Sequence, residues 1–375
     1  MKRILALAFA AFLCLTVSAQ TQTIYKFTKV CDNPATSIKN QAKTGTCWCF
    51  STVSFLESEL IRQGKGEFDL SEMFVVRKNY EKRLFDNYLR QGKGNIGPGS
   101  ICHMAINAIK ENGIVPESAY HGIKYDSATH NHDELSAYMK AVAGVAVERK
   151  NMSPEYDKLM KNIFDTYLGE VPQTFEYNGK TYTPQSFASA IGLDNLDDYI
   201  EITSIAHHPF YQMVPLEIPD NWDHQLLHNV PIEDFIAIID NALKNGYTVA
   251  WDGDLTSGEF NHNRGIAICP EPEDFAEAIK LEKIFPDRKV TQENRQYDLE
   301  HFKTVDDHLM HLVGIYTDQN GNNFYKTKNS WGTSRNEEMA GYLYMSRSYV
   351  MMRAISILVH KDGIPKDIRK KMGIK

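Results

Sequence analysis

A cysteine at the junction of a polar loop and an apolar helix is the first residue that could do chemistry. Cys47 follows Gly45-Thr46 and opens a helix predicted over 46–63. The free N–H groups and partial positive charge of a first helical turn stabilise a thiolate, which is the nucleophilic form. Gln41 precedes it in the same loop, so its amide is expected to donate, with the Cys47 N–H, to a developing oxyanion. On this segment alone, a buried structural cysteine remains the alternative.

A second cysteine competes for the same role. Cys49 lies two positions on, about 200° further round the helix. It should therefore face away from any cleft that Cys47 faces, and we interpret it as a packing residue.

A thiolate needs a base, and a histidine at the start of an apolar strand can supply one. His308 precedes a strand predicted over 309–316. Strand alternation places His308 and His311 on opposite faces, so only one of them is expected to meet the cysteine. An exposed histidine at a strand end is the alternative.

An asparagine after the next predicted strand, 323–328, could orient that histidine. The carbonyl of Asn329 can accept the second ring N–H of a histidine and fix its tautomer. Trp331 could cover this hydrogen bond and exclude water, which would strengthen it. The alternative is a turn asparagine beside a core tryptophan.

The elements that must position these residues change along the chain. Residues 38–120 are predicted to be mostly helical, 121–245 to be a further helical region, and 246–360 to be rich in strands, before a short tail at 361–375. Helices followed by strands indicate an α+β protein with segregated halves, between which a cleft can form.

The N-terminus is typical of an export signal. Lys2 and Arg3 precede an apolar stretch over 4–17, and Val17-Ser18-Ala19 offers small residues for cleavage after Ala19. The apolar stretch is too short to span a bilayer, so we predict a signal peptide over 1–19 rather than a stable membrane anchor, and a periplasmic or secreted protein.

The bulk composition excludes several classes of protein. Of 375 residues, 42% are hydrophobic and 24% charged, and the formal charge is −7, so a nucleic-acid partner is not expected. Removal of Cys14 with the signal would leave five cysteines, an odd number that requires at least one free thiol. Whether Cys31, Cys49, Cys102 and Cys269 form disulfides stays open. No HExxH or paired CxxC motif is present, so no metal or other cofactor is expected.

The ordered set Gln41, Cys47-Trp48, His308 and Asn329-Ser330-Trp331-Gly332 resembles the papain-like cysteine peptidases, which use a Cys-His-Asn constellation. Residues 44–48, Thr-Gly-Thr-Cys-Trp, resemble the family's Cys-Gly-Ser-Cys-Trp, with Thr44 in place of its first cysteine. The spacing from cysteine to histidine is 308 − 47 = 261 residues, against about 130–150 in a plain papain-like enzyme. Such an insertion resembles the bleomycin hydrolase and aminopeptidase C branch, and the similarity extends over most of 38–371.

This resemblance implies a two-subdomain papain fold over 20–375, with an inserted helical subdomain. It implies Cys47 as nucleophile, His308 as proton carrier, Asn329 as its orienting partner, Gln41 at the oxyanion, and Trp48 and Trp331 in support. It also implies peptide substrates, aminopeptidase activity and, in many relatives, a hexamer.

Two features depart from the branch: the export signal, and the lack of a Trp-Asp-Pro stretch before the tail at 361–375. In the branch this stretch leads into an arm that confines cleavage to substrate N-termini. An endopeptidase with an open cleft therefore remains an alternative, as does an inactive papain-like binding scaffold. Acyl transfer is less favoured, because it would suit an aspartate rather than Asn329.

Overall fold

A computed structural model describes residues 24–375, so the predicted signal peptide lies outside the described residues. Within them the α-helices are α1 Cys47–Arg62, α2 Glu72–Leu89, α3 Cys102–Asn112, α4 Asp133–Glu148, α5 Pro154–Leu168, α6 Pro184–Ile191, α7 Ile232–Lys244, α8 Phe275–Ala278, α9 Gln292–Glu300, α10 Arg347–Arg353 and α11 Lys366–Lys371. The strands are β1 Thr28–Asp32, β2 Phe175–Tyr177, β3 Lys180–Tyr182, β4 Tyr199–Thr203, β5 Gln212–Pro215, β6 Leu226–Asn229, β7 Val249–Gly253, β8 Phe260–Asn261, β9 Ile266–Ala267, β10 His308–Thr317, β11 Asn323–Lys328, β12 Tyr342–Ser346 and β13 Ala354–His360.

The helices of the first half begin and end where local chemistry requires. Ser71 caps α2, its side chain accepting from the Phe74 N–H at 3.1 Å, as its position before an apolar run predicts. Gly113 ends α3 with φ +76°, a conformation that suits a residue without a Cβ. Helix α1 is buried along almost its whole length, because it packs against α2 and α3 on one side and β7 and β10 on the other.

One mixed sheet forms most of the second half. Its order is β5-β6-β4-β13-β7-β10-β11-β12-β9-β8, with β1 also pairing with β10. The long strand β10 lies between β7 and β11, antiparallel to both. A core of helix α7 and the sheet supports it, while a separate core fills the helical half. The start of β10 therefore faces the start of α1 across the boundary between the halves.

The region 121–245 is more mixed than the prediction of a helical insertion. It contains the helices α4 to α7, but also the hairpin β2-β3 and strands β4, β5 and β6. Strand β4 pairs with β13, so the insertion extends the main sheet. This pairing joins residues more than 150 positions apart, and local periodicity carries no information about it.

No helix among residues 24–375 is long and apolar enough to cross a membrane.

Candidate active site

Cys47 is the first residue of α1, and its side chain faces the start of β10. The residue is 8% exposed. Its sulfur accepts from the backbone N–H groups of Leu309 and Trp48, both of which favour the thiolate. Trp48 is fully buried and donates from Nε1 to the Pro98 carbonyl at 3.0 Å. This hydrogen bond fixes the start of α1 against the loop that precedes α3.

His308 begins β10 beside this sulfur contact, and Asn329 follows the last residue of β11. His308 Nε2 and Asn329 Oδ1 lie 2.9 Å apart, and both residues are buried. Because an amide oxygen only accepts, Nε2 must carry the proton, which leaves Nδ1 as the basic nitrogen. Asn329 Oδ1 also accepts from the Ser330 N–H at 2.8 Å, which holds the amide in this orientation.

Two rings surround this hydrogen bond. Trp331 lies 4.9 Å from the His308 ring, centroid to centroid, as the predicted covering role requires. His262 was not predicted from the sequence. Its ring lies 5.0 Å from Trp331, and its Nδ1 is 3.4 Å from Asn329 Nδ2. The amide nitrogen of Asn329 thus faces His262 while its oxygen faces His308. No motif marks His262, since it sits in a short 3₁₀ turn far from the other site residues in sequence.

Gln41 is held between the two halves by three hydrogen bonds. Its backbone N–H donates to the Ser330 carbonyl at 2.8 Å, and its Oε1 accepts from Ser330 Oγ at 2.6 Å. Its Nε2 donates to the Thr44 carbonyl at 2.8 Å. One N–H of the side-chain amide remains for another acceptor, so the group can donate to an oxyanion formed beside Cys47.

Burial dominates the electrostatics of the cysteine and histidine. It raises the pKa of Cys47 to about 12, with smaller contributions from Asp306 and Asp252. It lowers the pKa of His308 to about 4, against the opposing effect of the Asn329 hydrogen bond. Burial thus opposes the charged forms of both groups, whereas the N–H groups of Leu309 and Trp48 favour the thiolate.

A pair of carboxyl groups beside the nucleophile was also not predicted. Asp252 lies on β7 directly across from Leu309 on β10, and Asp306 lies two residues before His308. Asp252 is fully buried, and the two carboxyls are in hydrogen-bonding contact. Each residue is ordinary in its own segment, and only the register of β7 against β10 brings them together.

The remaining candidates lie outside this arrangement. Cys49 is fully buried and its sulfur donates to the Glu72 carbonyl, consistent with the predicted packing role. His311 is buried on the other face of β10, with Nδ1 2.9 Å from Ser54 Oγ. The five cysteines among residues 24–375 are all free thiols: Cys31, Cys47, Cys49, Cys102 and Cys269.

Three exposed or half-exposed side chains could hold a metal ion, although no metal motif is visible in the sequence. Ligand atoms of His207, His208 and Glu217 lie within 4.8 Å of one another. None of the three contacts Cys47, His308 or Asn329 through a hydrogen bond. They are therefore separate from the predicted catalytic residues.

The family can now be assigned. A family model described as the Peptidase C1-like family matches residues 8–374. The chain belongs to the Peptidase C1-like family. Aminopeptidase G of Lactobacillus delbrueckii subsp. lactis is 26% identical over 375 residues, covering 89% of this chain and 83% of that protein. Bleomycin hydrolase of Gallus gallus is 20% identical over 416 residues, covering 95% and 87%.

A solved structure has the same fold. PepW from Lactobacillus rhamnosis superposes with a TM-score of 0.71 at 20% identity, covering 92% of this chain and 84% of that one. The predicted α+β papain-like fold and the resemblance to the bleomycin hydrolase and aminopeptidase C branch are thereby confirmed. The chain is a cysteine-type peptidase.

Proposed function

We propose that this protein is an exported aminopeptidase that removes residues from the N-termini of peptides through a Cys-His-Asn mechanism. The observation that carries the mechanism is the hydrogen bond from His308 Nε2 to Asn329 Oδ1, made beside Cys47 at the start of α1. It leaves Nδ1 of His308 as the proton acceptor for the thiol.

In this mechanism Cys47 attacks the scissile carbonyl as its proton passes to His308 Nδ1. The N–H of Cys47 and the free N–H of the Gln41 amide stabilise the oxyanion. His308 then protonates the leaving amine, and an acyl-enzyme forms on the sulfur. Water, deprotonated by His308, hydrolyses this thioester, and His308 returns the proton to the sulfur. Trp331 and His262 keep Asn329 oriented throughout.

Replacement of the nucleophile tests the mechanism. Cys47→Ala is expected to lower peptide turnover by at least 1000-fold, because no other group can form the acyl-enzyme. Cys49→Ala is the matched control: it removes a thiol from the same helix, and we expect its rate to stay within a few-fold of the unaltered enzyme. Turnover is followed with a fluorogenic aminoacyl amide. Full activity of Cys47→Ala, or an equal loss in Cys49→Ala, would contradict the assignment.

The aminopeptidase assignment is supported by relatives named as aminopeptidases. It is tested by comparing one short peptide with a free α-amine and the same peptide acetylated. Strong preference for the free amine supports an aminopeptidase, whereas equal rates would indicate an endopeptidase. Absence of any turnover or of reaction with a thiol-directed epoxide would indicate a binding scaffold.

Export is supported by Lys2, Arg3, the apolar stretch over 4–17 and the small residues before position 20. The mass of the protein from cells that export it is expected to match a chain beginning at Gln20. Retention of residues 1–19 in the mature protein would contradict cleavage.

A further inference from the structure

Two carboxyl groups beside the nucleophile have no cation. Asp252 is fully buried on β7, and Asp306 is partly exposed just before β10. No Lys, Arg or His among residues 24–375 forms an ion pair with either group. Apart from the contact with Asp306, Oδ1 of Asp252 is buried without a hydrogen-bond donor, while Oδ2 is 3.4 Å from Ser356 Oγ. Burial raises the pKa of both groups, that of Asp306 to about 7, and the contact with Asp306 raises the pKa of Asp252 further. The carboxyl oxygens of this pair can therefore accept further hydrogen bonds.

The neighbouring acidic residues, in contrast, are compensated. Glu201 accepts from the N–H groups of Cys102 and His103 at the start of α3, and from the His103 ring. His103 also contacts Asp223, and these carboxylates raise its pKa to about 9, so the ring is charged near neutral pH. Asp252 and Asp306 therefore differ from Glu201, because no neighbouring cation compensates them.

The pair lies next to the sulfur that would attack the substrate. Leu309, which donates to the Cys47 sulfur, is the residue paired with Asp252 across β7 and β10. Side chains of paired residues on adjacent strands point to the same face and lie close together. Both carboxyls also act directly on the electrostatic environment of Cys47.

A loop of the insertion lies near this region, because the charge of Asp220 acts on both Asp252 and Asp306. Asp220 approaches Gly99 so closely that a Cβ at Gly99 would lie 1.9 Å from Asp220 Oδ2. Asn95 donates to Asp220, and Pro98 is tied to Trp48 near the nucleophile. Asp220 thus adds a negative charge near the pair, which the charge of Arg83 partly offsets.

The N-terminal residue of a peptide carries a positively charged α-ammonium group close to its scissile carbonyl. Its α-nitrogen is two covalent bonds, about 2.5 Å, from the carbonyl carbon that the thiolate attacks. A group that recognises it must therefore lie beside the sulfur, and a charge-assisted hydrogen bond to a buried carboxylate is a strong one. We propose that Asp252 and Asp306 bind the α-ammonium group of the substrate. This inference rests on the proposed aminopeptidase function and identifies the residues that would select for a free N-terminus.

The test compares alanyl-aminomethylcoumarin with its N-acetyl form. In Asp252→Asn and Asp306→Asn, kcat/KM for the free amine is expected to fall by about 10- to 100-fold, mainly through KM, while the rate with the acetylated substrate changes far less. Asp307→Asn is the matched control, because Asp307 is an exposed neighbour of Asp306. We expect it to retain the preference for the free amine. An unchanged preference in both variants, or an equal loss in Asp307→Asn, overturns the inference.

Folding of the variants is checked by stoichiometric alkylation of Cys47.

A second measurement uses the unaltered enzyme. L-alaninamide is expected to inhibit the unaltered enzyme competitively, and N-acetyl-alaninamide to inhibit it at least ten-fold more weakly. Equal inhibition by the two amides also overturns the inference.

The outcomes separate this inference from the proposed function. No turnover of either substrate by the unaltered enzyme would mean that the proposed function fails. Preference for the free amine that survives in both aspartate variants would leave the proposed function standing and refute only the role of the pair. If the variants lose only hydrolysis of acetyl-arginyl-alanyl-aminomethylcoumarin, the pair binds a basic side chain instead, which also overturns the inference.

Discussion

Two groups of acidic residues, each with at least one fully buried carboxyl, lie near helix α1, and they differ in whether a cation compensates them. In one group, Lys39 Nζ contacts Glu57, Asp69 and Glu72 at 3.2, 2.8 and 2.7 Å. Glu57 also accepts from Thr36 and from the Leu70 N–H. In the other group, Asp252 and Asp306 face each other without a cation.

The contrast separates structural ionic networks from sites prepared for a ligand. A buried carboxylate costs several kcal/mol unless a charge and hydrogen bonds compensate it. The Lys39 network provides that compensation within the protein, so it needs nothing further. The pair at Asp252 and Asp306 is compensated only in part by a shared proton, and a bound ammonium group would complete it.

The largest expected effect on stability comes from removing Lys39, the cation of the Lys39 network. Lys39→Met leaves Glu57 and Glu72 buried without their partner, and we expect a loss of about 3–5 kcal/mol in the free energy of unfolding. Lys43→Met, at an exposed position in the same loop, is the control and should change it by less than about 0.5 kcal/mol. Urea denaturation measures both. Similar values for the two variants would show that Lys39 is not needed to compensate the carboxylates.

A change in the opposite direction, an increase in the free energy of unfolding, is expected when Asp306 is replaced. The folded-state pKa of Asp306 is about 7, above the value of about 3.9 for an unfolded chain. The native state thus keeps a proton that the unfolded state releases, and stability falls as pH rises from about 4 to about 7. Asp306→Asn has no carboxyl to titrate at this position, so its stability does not fall over this pH range. Its amide can also donate to Asp252. We expect the variant to be more stable by about 2 kcal/mol near pH 8.

This advantage should shrink towards about pH 4, where both states of the unaltered protein are protonated at this site. Thermal unfolding across this pH range measures it, with the exposed Asp126→Asn as control. A variant that is less stable than the unaltered protein near pH 8 would mean that Asp306 already has a partner.

The smallest effect concerns the reactivity of the nucleophile. Asp306 raises the pKa of Cys47 through its charge, so Asp306→Asn is expected to lower that pKa. The rate of alkylation of Cys47 by iodoacetamide should then rise at lower pH than in the unaltered enzyme. Mass spectrometry of the Cys47 peptide follows the reaction. A shift to higher pH, or the same shift in Asp307→Asn, would argue against a direct effect of Asp306.

Features that depend on residues adjacent in the chain could be predicted from the sequence. The start of α1 at Cys47, the cap at Ser71 and the limits of β11 could all be predicted, because each rests on neighbouring residues. The hydrogen bond between His308 and Asn329 lies where the predicted motif order requires it. Their catalytic roles stay a prediction until Cys47, His308 and Asn329 are varied.

What could not be predicted depends on the pairing of distant segments. The strand β4 within the insertion pairs with β13, and the Asp252 carboxyl reaches Asp306 only through the register of β7 with β10. His262 reaches Asn329 across 67 positions. A one-residue change in register would move the Asp252 side chain to the other face of the sheet, and no local pattern links His262 to Asn329, so composition and periodicity cannot specify these contacts.

The backbone hydrogen bonds between the Gln41 loop and the turn after β11 also have a mechanical consequence. Gln41 N–H donates to the Ser330 carbonyl, and Gly332 N–H donates to the Lys39 carbonyl. These bonds join the Gln41 loop to the turn after β11, and we expect them to stay intact during any opening motion. The oxyanion donor and the residue that orients the histidine would then keep their separation during each cycle of substrate entry and release. The slowest amide exchange in the cleft is accordingly expected at Gln41 and Gly332.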